Sequence, residues 1–267
     1  MENSKLNNKE AMNRMFISDT LKISPDEWEN ACQSDDKKEQ EKALMSIAIK
    51  CANRAYLDYN RTLEFTDDEK NKDHSDFRKG LYELTITQIS NLIRKDEKET
   101  AAFDFDGWHN EACEAIMKAV DKKHVLKDSF SYGQAQKQLN MTLKYMWLLG
   151  LWPVLNSESI TQKLHAVVDN YIIKAAWEIS EIYLPVQTGK KRSGTKYFSD
   201  KLEFVWSRWD ATIYTAFQQS LKDYVASDNT YSCVFEWEQN AWNSIATEGK
   251  NLYSGLIEYL MTRKIFL

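Results

Sequence analysis

Glycine and proline let a backbone reverse within two or three positions. A chain of 267 residues with only 8 of the first and 3 of the second has few places to do so. That scarcity argues against an all-β fold and against a Rossmann sheet, and for long helices. The expected fold is all-α: a helical bundle built as a single domain over residues 1–267, with two lobes around a cleft as the open variant. The length suffices to bury a core without metals or disulfides. Hydrophobic residues at 43%, with 9 Trp among the aromatics, place the chain among globular rather than disordered sequences.

Charge and cysteine usage narrow the classes of partner. The net charge of −5 is not that of a protein with a basic surface throughout, so contact with nucleic acid has to come from a local patch. Cys32, Cys51, Cys113 and Cys233 form no CxxC pair. With no signal peptide and no apolar run of membrane length, they read as reduced thiols in a cytoplasmic protein that has no membrane partner.

Along the chain, residues 10–23 read as a short helix. Ser24-Pro25-Asp26-Glu27 reads as a helix start, with Ser at the cap, Pro at the first position and acids in the first turn. Helices are expected over 38–60 and 76–95, separated by a charged linker at 67–76. Asp106 is expected to cap a helix beginning at Trp108, with Phe105 as its apolar staple. His109 and Cys113 at i, i+4 read as core or surface residues rather than half of a metal site, and no metal is expected. His74 and His124 stand among charges and read as solvated.

The stretch Ser129–Trp147 organises the rest. It reads as a short turn with one glycine, Gly133, running into a helix whose apolar face is Leu139, Leu143, Met146 and Trp147. Lys137, Asn140 and Lys144 fall at i, i+3 and i+7, a single polar stripe that an amphipathic helix would turn to solvent. Downstream, Asp169 is set in the apolar run Leu164-His165-Ala166-Val167-Val168-Asp169-Asn170-Tyr171-Ile172 and opens a further helix.

A helix over 108–126, a turn over 129–133 and a helix over 134–149 make a hairpin. A lysine stands early in its second helix, and an apolar-flanked aspartate follows downstream. This order resembles the helix-hairpin-helix DNA glycosylases, and the Lys137–Asp169 spacing is similar to the archaeal 8-oxoguanine glycosylase branch. Of the hairpin glycines of that family only Gly133 is present, and Ala166-Val167-Val168 lacks its proline. The resemblance implies excision of a modified base from double-stranded DNA by a monomer, without a cofactor. Lys137 and Asp169 would be the catalytic pair, with strand-nicking lyase activity through Lys137.

The chemistry is coherent. A lysine amine beside apolar packing is a nucleophile for a sugar carbon, and a carboxylate at a helix start stabilises a cationic sugar. The helix N-terminus at Tyr132, Gly133 and Gln134 would meet a phosphate. Lys190, Lys191 and Arg192, in the basic loop 187–196, would meet others. A base drawn out of the stack needs aromatic walls and a polar reader, for which Trp206, Trp209 and Asn140 are the candidates. Oxidised guanine and a hypermodified base of phage DNA, the latter as an antiviral activity, are the two substrate expectations. The alternative from another class is a non-catalytic helical interaction or regulatory protein of phage or host. It needs neither Lys137 nor Asp169 in a common cleft. Residues 204–210 are expected to open a helix running through Asp223, with Arg208 and Asp210 as a surface pair, and helices over 234–247 and 250–262 to close the bundle.

Overall fold

Helix starts in this chain are set by short side chains that accept a backbone N–H left over in the first turn. The computed structural model describes residues 17–93, 102–151, 158–178, 205–228 and 230–247. Among these, regular structure is helical, with one isolated bridge between Phe65 and Leu126. Ser24 caps α1 (Pro25–Gln33), accepting from the Glu27 amide at 3.1 Å, with Pro25 at the first position as its fixed φ favours. Asp36 caps α2 (Lys37–Tyr59), and α3 spans Ser75–Ile93.

The next start differs from expectation. Asp104, not Asp106, caps α4 (Phe105–Asp121), accepting from Gly107 N at 3.0 Å. Phe105 is therefore the first helical residue, buried, and Asp106 lies inside the first turn where its carboxylate is released for another partner. The end of α4 also comes early, at Asp121. His124 has φ 52°, in the left-handed region, and its amide bonds back to the Asp121 carbonyl at 3.1 Å. The connection to α5 (Tyr132–Leu148) thus runs over 122–131 rather than 129–133. It is ordered by Phe130, which is buried against Tyr59 and whose amide donates to Asp121 Oδ1 at 2.8 Å. His74, read as solvated, is half-buried and stacks on Phe65 at 3.5 Å between centroids.

The chain divides into two compact units, Met1–Val167 and Val168–Leu267. In the first, α2 packs against α1, α3 and, most extensively, α5. Its inward face carries Ala48, Cys51, Ala52 and Ala55, small residues that allow close approach. Helix α4 packs on α5 and α3, and the short α6 (Glu158–Thr161) follows. In the second unit, α7 (Asn170–Glu178) and α8 (Ala211–Ser227) both pack on α9 (Val234–Thr247) around Ile172, Ala176, Phe217, Leu221, Phe235 and Trp237. Residues 206–208 form a single 3-10 turn, and α8 starts only at Ala211. Asp210 is its cap, accepting from Ile213 N at 2.9 Å, rather than a partner for Arg208. Among the described residues no helix is long and apolar enough to cross a membrane. Of the helix expected over 10–23, residues 17–21 are helical and residues 10–16 lie outside the described residues, as does the helix expected at 250–262.

Candidate functional site

A helix enclosed by neighbours is ordinarily apolar all round, because a polar group taken out of water without a partner costs about 1–3 kcal/mol. Helix α5 breaks that pattern. Two of the three residues of its polar stripe are not solvated, Lys137 at 4% and Asn140 at 1% exposed, while Lys144 is half-buried; Gln136 and Gln138 are 0% exposed. Lys137 and Asn140 are enclosed because α2, α4 and Ala166 close round the helix, which periodicity within one helix cannot report.

The enclosed groups are knitted together. Asn140 Nδ2 donates to Gln136 Oε1 at 3.1 Å and to the Ala166 carbonyl at 3.5 Å. That leaves Asn140 Oδ1 to accept from His109 Nε2 at 2.9 Å, which assigns the ring proton to Nε2 and leaves Nδ1 facing the Tyr132 hydroxyl at 3.4 Å. Cys113 Sγ lies 3.8 Å from the same Nδ1. Burial pushes the Cys113 thiol and the Tyr132 hydroxyl well up, so both stay protonated and act as neutral packing and donor groups. The His109 ring lies 4.5 Å from that of His165, whose Nε2 meets Asp106 Oδ1 at 2.7 Å. A continuous polar file therefore runs from half-exposed Asp106 to the middle of α5. Among the described residues no group of three or more His, Cys, Asp or Glu side chains is arranged to hold a metal ion.

On the α2 side of α5 a second cluster forms. Tyr145 Oη donates to Asp58 Oδ2 at 2.6 Å, and Arg54 Nη2 reaches Asp58 Oδ1 at 3.0 Å. The positive charges of Lys137 and Lys144 favour the ionised form of Asp58. Burial raises the Asp58 carboxyl above the usual aspartate range, and the Tyr145 bond, Arg54 and the two lysines offset only part of that. Burial and the adjacent Asp58 push the Tyr145 hydroxyl up, which keeps it a donor.

No family profile, curated protein or solved structure matches this chain. Its site is therefore read from its own geometry. The first turn of α5 is closed by a capping box: Ser131 Oγ accepts from Gln134 N at 3.0 Å, and Gln134 Oε1 accepts from Ser131 N at 3.0 Å. The helix starts at Tyr132 rather than Gly133. Tyr132, Gly133 and Gln134 are buried, so they do not form the open, phosphate-ready N-terminus read from the sequence.

Asp169 belongs to the second unit and caps α7, accepting from Ile172 N at 3.0 Å, as its place before an apolar helix suggests. Trp206 and Trp209 belong to that unit too and are buried in it, Trp209 edge-on to Phe217 at 5.3 Å. Lys190, Lys191 and Arg192 lie outside the described residues. A surface groove on α4, lined by Met117, Lys118 and His124 among others, contains none of the expected site residues. His109, His165, Asp106, Asp58 and Tyr145 were missed as a group. The one local signal was His165, a lone polar residue inside an apolar run.

Proposed function

We propose that the protein is a DNA glycosylase that removes a modified base from double-stranded DNA, with Lys137 as its amine nucleophile. The observation that carries this reading is the enclosure of Lys137 on α5, where it is 4% exposed. A lysine with only a solubility role extends into water. One held in a buried, hydrogen-bonded frame is pre-set for chemistry. In the proposed step the Nζ lone pair bonds to the sugar C1′ while the base departs with the electrons of its glycosidic bond. Loss of a proton from nitrogen and opening of the sugar ring then give a Schiff base, the entry to strand nicking. The enzyme acts as a monomer. Its phosphate contacts come from the basic loop 187–196 rather than from the closed first turn of α5.

The test is incubation with duplexes carrying different bases, oxidised guanine and bulky hypermodified pyrimidines among them. Released base is measured, and protein–DNA adducts are trapped with borohydride. The parent protein is expected to form an adduct with at least one duplex, and Lys137→Gln to form none while keeping its helical circular-dichroism spectrum. Base release without any adduct in the parent would demote Lys137 to electrostatic support. No release from any duplex would remove the glycosylase reading.

One observation favours a second reading, a non-catalytic helical regulator. The polar groups of α5 bond to one another and to backbone, as a purely structural tie would, and the capping box closes the helix end. That protein would bind a partner without altering DNA, and Lys137→Gln would leave its binding unchanged.

A further inference from the structure

We propose that Asp106 and His165 form a pH-gated clasp that fastens the last residues of the first unit to the start of α4. His165 Nε2 lies 2.7 Å from Asp106 Oδ1, across 59 residues of chain. On either side of His165 the backbone is tied as well. Leu164 N donates to the Ile160 carbonyl at 3.1 Å, and the Ala166 carbonyl accepts from Asn140 Nδ2 at 3.5 Å. Leu164, His165, Ala166 and Val167 are all buried.

The two members of the clasp sit in different surroundings. The Asp106 side chain is 55% exposed and lies in the first turn of α4, where the helix dipole favours an anion. The His165 side chain is 5% exposed, with the Phe105 ring at 77° to it and 5.1 Å between centroids. A carboxylate only accepts, so Nε2 carries a proton whether the ring is neutral or charged. What pH changes is the second proton, on Nδ1. With it the bond joins imidazolium to carboxylate and is about twice as strong as the neutral bond that remains without it. The clasp therefore tightens on acidification, and slackens without releasing as His165 becomes neutral.

The charge settles on His165 rather than on the neighbouring His109, whose ring is 4.5 Å away. His109 is 1% exposed, and its bonds suit a neutral ring: Nε2 donates to Asn140 Oδ1 at 2.9 Å, and Nδ1 faces the Tyr132 hydroxyl at 3.4 Å. Burial keeps Tyr132, from α5, and Cys113, from α4, protonated, so neither supplies an anion. The other charged side chains near the clasp have partners of their own. Asp104 accepts from Gly107 N at 3.0 Å, and Lys163 Nζ donates to the Phe103 carbonyl at 2.9 Å. Two imidazoliums at the spacing of these rings would repel in a buried setting, so the pair holds one positive charge.

The experiment uses the full chain with 15N-labelled histidine and follows the ring nitrogens of His165 and His109 from about pH 8 to about pH 5, the range in which histidine changes charge. In parallel, exchange of the Leu164 amide, divided by its intrinsic rate at each pH, reads how often the segment opens. His165 should take up its second proton while His109 stays neutral, and opening at Leu164 should become several-fold rarer at the acid end. Asp106→Asn should move the His165 titration acidward and flatten the pH dependence of opening. A His165 that stays neutral to the acid end overturns the proposal. So does an unmoved titration in folded Asp106→Asn, or opening at Leu164 that ignores the titration of His165. If Asp106→Asn does not fold, His165→Gln decides: the pH dependence at Leu164 must disappear, and its retention overturns the clasp. The readouts need no DNA, so the clasp stands or falls apart from the glycosylase reading.

Discussion

Helices α5 and α8 have the same length, 17 residues each, and are built on opposite plans. Helix α8 buries Tyr214, Phe217, Gln218, Leu221 and Val225, a stripe at helical spacing, and leaves the rest of its circumference towards water. Helix α5 buries thirteen of its seventeen residues, among them Lys137 and Asn140. One-sided burial asks only that apolar residues recur at the helical period. All-round burial forces every polar side chain to find a partner, and those partners come from other elements: His109, the Ala166 carbonyl, the Ala52 carbonyl. The contrast separates a helix held by one apolar stripe from one whose polar interior is tied to other elements by hydrogen bonds.

Truncating the packing helix should produce the largest change. Phe217→Ala in α8 removes a ring that is 1% exposed and edge-on to Trp209, and is expected to destabilise by about 3–5 kcal/mol in urea unfolding. A loss below about 1 kcal/mol would show that α8 is not held by its apolar stripe. In α5, Asn140→Leu should cost about 1–3 kcal/mol, because it removes the acceptor of His109 Nε2 and the donor to Gln136 Oε1 inside the protein. The companion Asn140→Leu, His109→Phe double variant should recover part of that loss. Additive losses would break the idea of a shared network.

Smaller effects come from pH and sharpen the difference between buried and half-exposed charges. At the α1–α2 edge, burial pushes the Glu27 carboxyl up, but bonds from Lys50, at 2.6 Å, and Ser46 outweigh it and hold it below the usual value. The pair therefore contributes stability above the unfolded glutamate value of 4.5 and loses it as pH falls through the folded one. Asp58 has the opposite sign. Its folded value lies above the unfolded 3.8, so its contribution is greatest below that pH and is lost as pH rises through the folded value. Stability profiles of Glu27→Gln and Asp58→Asn between pH 3 and 7 should differ from the parent with opposite slopes, on the order of 1 kcal/mol or less for the Glu27 pair. Profiles of the same slope would contradict the assignment. The smallest effect is expected for Gln138→Leu. Gln138 Oε1 is buried with no hydrogen-bond partner, so losing the Nε2 bond to the Ala52 carbonyl is offset, and the change should stay within about 0.5 kcal/mol in the same urea titration.

What the sequence determined by itself is what depends on neighbours in the chain. Few glycines and prolines dictated helices, Ser24-Pro25 dictated the start of α1, and Asp169 before an apolar run dictated a capped helix, because a cap bonds an amide only two or three residues on. Tertiary structure decided the rest. From the sequence the cap falls at Asp106, whereas the structure puts it at Asp104. The burial of Phe105 selected Asp104 and freed Asp106 to meet His165, 59 residues away. The Lys137–Asn140–Lys144 stripe has the spacing of a solvated face. Packing of α2, α4 and Ala166 enclosed Lys137 and Asn140, and Asp58 reached Tyr145 across 87 residues. Periodicity reports which side of a helix is apolar, whereas burial depends on how many elements surround it, and no single segment carries that information.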